Sequence, residues 1–432
     1  MKAHGAIGWI EDNLPNALAC AQQRKVPVVV DLWAPWCHTC LSMQTQVFTD
    51  ASFEADAKKF VFAALDTDRE ENAAAVAKYP LSAWPTFYVI DPDGSVLARF
   101  VGAASIAQFH AFLESGARAH GNGAAGADAK LLAADRAMQK KDYETAGKEL
   151  AAALAEAPET WVRRPDALVS LLDTKSRRKD HAGCVDFAEA NLDRTGNAGS
   201  ASDFAALAMS CVREMLEGAP KDRATEKARA TKLRRRAVAR WKALLADAAA
   251  PLTADDRSDA MLNLRETLEE LDEKAEAKAV AEQQRTLLDE AAGKAKDPMA
   301  AMTYNWHRAE VYVYLGKPLE VVPALEKSAT DLPREYDPAA RLGWVYFKAG
   351  KLAEAATWTD KAVLLAYGPR KGRVLTQRAD IAKKAGDAQA EKLFRQEVVK
   401  LWESLPAGQQ QPEALAKAKE ALAALDKPAA KN

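Results

Sequence analysis

Two cysteines separated by two residues, Cys37 and Cys40, are the side chains with the most definite chemistry in this sequence. They follow an apolar run over 28–33 that predicts a buried strand, and Cys37 begins a segment through Phe48 that predicts a helix. A helix N-terminus favours the anionic form of a thiol, so Cys37 should attack disulfides as a thiolate. Cys40 lies nearly one helical turn further on and can resolve the mixed disulfide. The spacing therefore predicts thiol–disulfide exchange.

The other three cysteines, Cys20, Cys184 and Cys211, do not form a comparable pair. Five cysteines are too few for a disulfide scaffold, and each of these three falls in a predicted helix, where we expect a small buried side chain. A disulfide between Cys184 and Cys211 is not expected. A lone Cys-X-X-Cys can be half of a zinc site, but the sequence offers no second cysteine pair and no histidine-rich partner. We therefore expect neither a metal nor a cofactor.

The elements that must position this dithiol can be predicted from apolar periodicity and turn residues as far as residue 115. The pattern predicts four helices and four strands, with a hairpin turn over 91–94. The predicted helices are 13–24, 37–48, 69–78 and 105–115, and the predicted strands are 28–33, 60–65, 86–90 and 95–101.

A change in composition over 116–127 predicts a domain boundary. The segment consists mainly of Gly, Ala and small polar residues, as is typical of linkers. We therefore predict a domain over 1–115, a linker over 116–127 and a second domain over 128–432. The first domain should fold alone.

The second domain is rich in Ala, Leu, Glu, Lys and Arg with helical periodicity, and it shows an internal repeat. Gly316, Gly350 and Gly386 are roughly 35 residues apart, and the residues around Gly350 resemble the tetratricopeptide pattern. This similarity predicts an α-solenoid of roughly six or seven helix pairs, with 412–425 as a capping helix. Its many aromatic side chains are interpreted mainly as packing residues, and a peptide groove is the alternative.

The segment Val28–Cys40 reads VVVDLWAPWCHTC and resembles the active-site strand and loop of the thioredoxin family. The resemblance covers residues 5–115. It implies an α/β thioredoxin fold, in which a central mixed sheet is flanked by helices, followed here by the all-α tetratricopeptide-like solenoid. It also implies that Cys37 is the nucleophile and Cys40 the resolving cysteine.

The same resemblance assigns roles to residues outside the dithiol. Asp31 matches the buried acid that moves a proton for the resolving cysteine, and burial on an apolar strand would raise its pKa toward neutrality. Trp84, Pro85 and Thr86 match the cis-proline segment that pairs with an extended substrate, and a cis peptide bond is favourable only before proline. Trp36 lies beside the dithiol and is assigned to substrate binding.

Two departures from the family pattern affect the redox potential. The dipeptide between the cysteines is His38-Thr39 rather than Gly-Pro, and the usual lysine near the buried acid is absent, because Ala64 and Leu65 occupy that region. His38 either tunes the Cys37 thiolate or is exposed at the rim. The direction of electron flow is therefore open at this point.

Residues 48–53 are similar to the C-terminal thioredoxin domain of bacterial transmembrane disulfide reductases, which favours a reductase. The implied partners are a disulfide-containing protein client, held by the solenoid, and an electron-donating thiol protein. One alternative is a scaffold or chaperone whose thioredoxin-like domain mainly binds. Another is a thiol oxidase or disulfide isomerase, which would differ only in redox potential.

The balance of charge and hydropathy limits the other partners. The chain has 60 Lys and Arg against 61 Asp and Glu, so there is no net field to attract nucleic acid. No apolar stretch is long enough to span a membrane. The similarity to a periplasmic domain favours an exported protein whose leader has been removed, whereas unpaired cysteines would suit a reducing cytoplasm.

Overall fold

The computed structural model describes residues 2–121, 123–217 and 224–426. The remaining positions, which fall within the predicted domains and linker, lie outside the described residues: Met1, Asn122, 218–223 and 427–432. The chain divides into two compact units, neither of which is one continuous stretch. The first unit comprises the described residues of 2–33, 39–65 and 79–288, and the second comprises those of 34–38, 66–78 and 289–426.

A six-stranded mixed sheet forms the centre of the N-terminal part, with the strand order β1-β2-β4-β3-β5-β6. The pairs β1/β2, β3/β5 and β5/β6 are antiparallel, and β2/β4 is parallel. The strands are β1 (Lys2–His4), β2 (Ile7–Glu11), β3 (Val28–Trp33), β4 (Val61–Asp66), β5 (Thr86–Ile90) and β6 (Val96–Val101). The mixed sheet is as predicted, but β1 and β2 were not, although Ile7 and Trp9 alternate as in a strand and are buried.

Four helices accompany the sheet: α1 (Leu14–Arg24), α2 (His38–Ser42), α3 (Ala73–Lys78) and α4 (Ile106–Gly121). A π-helical turn, Met43–Val47, continues α2, so the predicted helix over 37–48 is confirmed with a change of pitch. Short 3₁₀ segments occur at Ala51–Glu54, Asp56–Lys58 and Glu70–Asn72.

The first half of the predicted linker is helical, because α4 continues to Gly121. Gly116 serves helix–sheet packing rather than flexibility: a Cβ at this position would lie 2.6 Å from the Val89 side chain. A larger residue could not be accommodated without moving α4 away from the sheet. Gly116 therefore belongs to the packed helix and not to a linker, since the composition of a segment does not show which glycines face a packed neighbour.

The N-terminal part has an apolar core of its own. Its buried cluster runs from Ile7 to Leu113 and includes four phenylalanines whose rings meet at centroid distances between 5.1 and 6.4 Å: Phe48, Phe87, Phe109 and Phe112. Aromatic pairs at these distances add to the stabilisation that comes from burial. The predicted domain over 1–115 remains a prediction, and this core supports it.

The rest of the described chain is helical, as predicted, and successive helices such as α5/α6, α16/α17 and α18/α19 pack against each other. The helices are α5 (Gly126–Gln139), α6 (Tyr143–Glu156), α7 (Arg164–Arg177), α8 (His181–Asn191), α9 (Gly199–Glu217), α10 (Ala224–Ala246), α11 (Ala254–Glu270), α12 (Lys274–Gly293), α13 (Pro298–Met302), α14 (Asn305–Tyr314), α15 (Val322–Asp331), α16 (Tyr336–Lys348), α17 (Leu352–Leu365), α18 (Gly368–Ala385), α19 (Ala388–Ser404) and α20 (Pro412–Ala423). The terminal helix α20 occupies the predicted capping position.

Cys184 and Cys211 form a disulfide, so the expectation that they are separate core residues is wrong. Both are buried, one on α8 and the other on α9, and these two helices pack against each other. The sequence placed each cysteine correctly in a helix. It could not show that the two helix faces meet, because that depends on how the pairs stack.

Side chains from the helices cover the edge strand β6 within the first unit. The Arg99 backbone N–H donates to the Asp135 carboxylate at 2.9 Å, and the Arg163 guanidinium donates to the Arg99 carbonyl at 3.0 Å. Arg136 donates to the Val96 carbonyl at 2.9 Å. An open strand edge is a site of aggregation, and these contacts saturate part of it.

Candidate functional site

Cys37 and Cys40 are joined by a disulfide at the start of α2. The Cys37 backbone N–H donates to the Ala34 carbonyl at 3.0 Å, and the turn so formed leads from β3 into the helix. Cys37 is 4 % exposed and Cys40 is 1 % exposed. Cys37 therefore precedes the free N–H groups of the helix, as predicted, and the spacing of the pair allows the disulfide to form and open.

Asp31 lies in the middle of β3 and is buried among apolar residues. Neither carboxylate oxygen has a hydrogen-bond partner among the described residues. Burial raises the pKa of Asp31 well above its ordinary value, because the charged form is not solvated. The burial predicted from the sequence is confirmed, and the carboxyl group holds its proton to a higher pH than an exposed aspartate does.

The peptide bond between Trp84 and Pro85 is cis, as predicted. Pro85 and Thr86 are buried and Trp84 is partly exposed. The Gly102 N–H donates to the Pro85 carbonyl at 2.9 Å, which joins the segment to the end of β6, and the Thr86 hydroxyl donates to the Ala83 carbonyl at 2.7 Å. These bonds hold the segment in one conformation.

A cavity of about 320 Å³ lies beside this segment in the first unit. Thr39, Trp84 and Gly102 contribute to its wall, together with residues of α7, α9 and α11. The Asp203 carboxylate of α9 lies over Gly102, where a Cβ would be 2.9 Å from its Oδ2 atom. Burial and the nearby Asp259 raise the pKa of Asp203 well above its ordinary value. No local pattern in the sequence indicates Asp203, because its position depends on how α9 packs.

Trp36 and the segment after β4 form a hydrogen-bonded cluster within the second unit. The Trp36 indole N–H donates to the Asp68 carboxylate at 2.7 Å, and the Tyr336 hydroxyl donates to the same oxygen at 3.4 Å. Tyr367 donates to the carboxylate of Asp66. Burial raises the pKa of Asp68 to about 6, against the opposing effect of the Trp36 hydrogen bond. The indole N–H of Trp36 is therefore already occupied.

Asp66 and Asp68 are site residues that the sequence interpretation missed. A signal was present, since Asp66 ends β4 and Asp68 lies two residues beyond it, and β4 neighbours the active-site strand β3 in the sheet. Their tyrosine partners lie 301 and 268 residues away along the chain, so nothing local indicated the contacts.

Gly368 allows the start of α18 to approach this segment closely. Its φ is +53°, and a Cβ would lie 1.9 Å from the Asp68 carbonyl oxygen. Only glycine fits such a position without displacing backbone. The approach places Tyr367 beside Asp66 and, two residues beyond Gly368, places Arg370 over the ring of Trp36.

His38 begins α2 and is half-buried, with its ring 4.3 Å from the ring of His307. Thr39 faces the cavity of the first unit. The roles predicted for both residues in tuning the redox potential remain predictions.

Residues 14–117 match the family model described as a thioredoxin-like domain. The chain is similar to the thiol:disulfide interchange protein DsbD of Pectobacterium atrosepticum, with 29 % identity over 106 residues, which is 24 % of this chain and 18 % of that protein. It is also similar to protein disulfide-isomerase 1 of Dictyostelium discoideum, with 29 % identity over 93 residues, or 21 % of this chain and 25 % of that protein. The match thus spans about a fifth of the length of these relatives.

Among solved structures, a tetratricopeptide repeat protein from Parabacteroides merdae aligns with 70 % of this chain and 99 % of its own, at 16 % identity and a TM-score of 0.44. Within the described residues, no helix is both long and apolar enough to cross a membrane. Residues 14–117 form a thioredoxin-like domain, the described chain after it is helical, and the dithiol is suited to thiol–disulfide exchange.

Proposed function

We propose that this chain is a protein disulfide reductase that uses Cys37 and Cys40 and binds its client or partner through the helical repeats. The disulfide at the start of α2 carries the proposal, because it places an oxidisable pair where the helix favours a thiolate. The relatives named for thiol:disulfide interchange support the chemistry.

The reaction has two exchange steps. The Cys37 thiolate attacks one sulfur of the client disulfide, forms a mixed disulfide with it and releases the other sulfur as a thiolate. The Cys40 thiolate then attacks the Cys37 sulfur, releases the second client thiolate and closes the Cys37–Cys40 disulfide. Two electrons pass to the client. A dithiol donor protein must then reduce Cys37–Cys40 by the same exchange in reverse order.

Asp31 is proposed as the group that accepts the Cys40 proton before the second step. Its carboxyl group is buried without a hydrogen-bond partner among the described residues, and the raised pKa makes its ionised form a stronger base than an exposed aspartate, which suits removal of a thiol proton. The cis-proline segment is proposed to pair with the client backbone. Thr39 and Trp84 supply the thioredoxin-like side of the cavity, and the helices of the first unit supply the other side.

An extracytoplasmic, periplasmic location is proposed for the chain. The Cys184–Cys211 disulfide supports it, because disulfides outside a redox site persist in oxidising compartments. The similarity to DsbD points the same way. Alkylation of the protein in intact cells, followed by mass spectrometry, would find Cys184 and Cys211 unmodified, whereas their labelling would contradict the proposal.

Reduction of insulin by the full chain, with dithiothreitol as the electron source, tests the proposed function. We expect catalysed reduction that Cys37→Ser abolishes and that Cys40→Ser converts into an accumulating mixed disulfide. Iodoacetamide should label Cys37 of the reduced protein before the free Cys20. Wild-type protein that does not accelerate the reaction would favour the scaffold or chaperone alternative.

The direction of electron flow is tested by the redox potential, measured by equilibration with glutathione. A potential near that of reducing thioredoxins, about −270 mV, supports the reductase. A value near that of strong oxidants, about −120 mV, would favour the oxidase alternative.

A further inference from the structure

A second cavity, of about 380 Å³, opens beside the residues that flank Cys37, and it lies entirely within the second unit. We call it the arginine–tryptophan pocket. Its wall includes Trp36, His38, Arg341, Trp344, Arg370 and Arg373. It is distinct from the cavity of the first unit, which has aspartates in its wall where this pocket has arginines.

Arg370 is the most unusual cation of the pocket. Its guanidinium carbon lies 4.9 Å from the centre of the Trp36 ring, and its Nε atom is buried without a hydrogen-bond acceptor among the described residues. Burial and the nearby Arg341 lower the pKa of Arg370 to about 10. A cation in such surroundings gains from an anionic ligand that replaces lost water.

Two carboxylates of the second unit, Asp337 and Asp68, act on the arginines of the pocket. Arg341 is 8 % exposed and pairs with Asp337 at 2.8 Å, yet its Nε atom also has no acceptor among the described residues. Asp68 also acts on Arg370 and Arg373, and its pKa is raised to about 6. The three guanidinium groups in the wall of the pocket outnumber these two carboxylates.

The apolar walls narrow the class of ligand. The Trp306 ring lies 4.6 Å from the Arg341 guanidinium carbon and 5.5 Å from the Trp344 ring. Planar guanidinium groups bind carboxylates through two parallel hydrogen bonds, and the indole faces favour a ligand that also has an apolar part. An acidic peptide side chain with its methylene groups meets both conditions.

We propose that the arginine–tryptophan pocket binds an acidic side chain of the client, close to the disulfide that Cys37 attacks. The inference rests on the proposed function and adds a substrate class to it, namely disulfides flanked by Asp or Glu. Trp36 and His38, the residues on either side of Cys37 in the chain, both line the pocket, so a group held there would be close to the reacting sulfur.

Reduction of three synthetic peptide disulfides by the full chain tests the inference. The peptides differ at one position near the cysteine, where they carry Glu, Gln or Lys. We expect kcat/KM to decrease from Glu to Gln to Lys, with about a tenfold ratio between Glu and Lys, as charge-assisted hydrogen bonds give. Arg370→Gln and the more exposed Arg373→Gln should each bring this ratio toward one.

Arg378→Gln is the matched control. Arg378 lies on the same helix, pairs with Asp360 at 2.7 Å and does not line the pocket. The readout is the ratio of kcat/KM for the Glu and Lys peptides, measured on one protein sample. A variant that is only partly folded lowers both values by the same factor and leaves their ratio unchanged. The ratio for Arg378→Gln should equal that of the wild type.

Three results would overturn the inference and leave the proposed function intact. The first is equal kcat/KM for all three peptides, and the second is a loss of the Glu-to-Lys preference in Arg378→Gln as large as in Arg370→Gln. The third is a preference that is seen only between two small disulfides, with oxidised glutathione reduced faster than cystamine, and not among the peptides. The last would show that the pocket serves a small anionic thiol compound. If the wild type reduces none of the peptides and no insulin, the proposed function itself is wrong.

Discussion

At the scale of single residues, Asp31 links the chemistry of the site to the stability of the fold. A folded-state pKa above the ordinary value means that the folded protein binds a proton more tightly than the unfolded chain. As pH rises above about 4, the unfolded chain ionises while the folded protein keeps its proton, so stability falls by about 1.4 kcal/mol per pH unit. The fall ends once pH passes the folded-state pKa.

We therefore expect Asp31→Asn to gain stability over the wild type as pH rises through this window. Urea midpoints of the full chain, followed by tryptophan fluorescence from pH 4 to 8, would measure the difference. The exposed Glu70→Gln serves as the control and should show no such trend. The same Asp31→Asn variant should reduce insulin at least about tenfold more slowly, since proton transfer is lost. A stability difference independent of pH would contradict the raised pKa.

The residues of the site that the sequence predicted are those whose signals are local. Cys37 and Cys40 identify themselves by spacing, Asp31 by its apolar neighbours and Pro85 by its resemblance to the cis-proline segment. Arg370 and Asp68 could not be predicted in this way. Each matters because of a partner that only the tertiary structure brings near, and a charged residue on a helix is usually a solvated one.

At the scale of elements, the same limit appears in how helices meet the sheet. The strands β3 to β6 and the helices α1 and α4 were predicted because each has its own periodicity and its own turn or capping residues. The close approach of α18 to the segment after β4 depends on one glycine. Glycine at the start of a helix gives no periodic signal, and its meaning emerges only from the neighbouring backbone.

Gly368→Ala should destabilise the protein more than a matched change at Gly350. Both glycines have positive φ, +53° and +75°, but nothing lies within 4 Å of a Cβ at Gly350. Gly350→Ala should therefore cost only the left-handed conformation, about 1–2 kcal/mol. Gly368→Ala also forces the Asp68 carbonyl to move, so we expect the free energy of unfolding to fall by at least about twice as much. Urea unfolding of both variants would measure the difference. Equal losses would show that the close approach is not maintained in solution.

Arg163 should be one of the most sensitive residues at the covered edge of β6. It is 1 % exposed, bonds to Asp166 at 2.7 Å and to the Arg99 carbonyl at 3.0 Å, and its removal leaves a buried carboxylate unpaired. Arg163→Met should lower the free energy of unfolding by about 3 kcal/mol. Arg213→Met, which breaks the exposed pair with Glu270, should cost under about 1 kcal/mol. Similar urea midpoints for the two variants would contradict this.

At the scale of the whole molecule, the two compact units do not coincide with the two domains predicted from composition. The segments 34–38 and 66–78 of the thioredoxin-like domain belong to the second unit with the helices from 289 onward. Residues that are continuous in sequence are therefore not always in the same compact unit. Composition shows where one type of sequence ends and another begins, but it does not show which later helices pack against an earlier segment.

The final prediction concerns a chain truncated after Gly121, at the end of α4. Its apolar core, from Ile7 to Leu113, is complete, so we expect it to fold and to reduce insulin. It lacks Tyr336 and Tyr367, which bond to Asp68 and Asp66, and it lacks Arg163, which bonds to the edge of β6. We therefore expect its unfolding temperature to be lower than that of the same domain within the full chain.

The truncated chain should also lose the preference for acidic peptides, because Arg341, Arg370 and Arg373 are absent. Circular dichroism and kcat/KM on the Glu and Lys peptides would measure both properties on the same sample. A truncated chain that is unfolded would show that the thioredoxin-like domain is not independent of the helices. A folded one that keeps the full Glu-to-Lys ratio would place the source of selectivity within residues 1–121, in the thioredoxin-like domain itself.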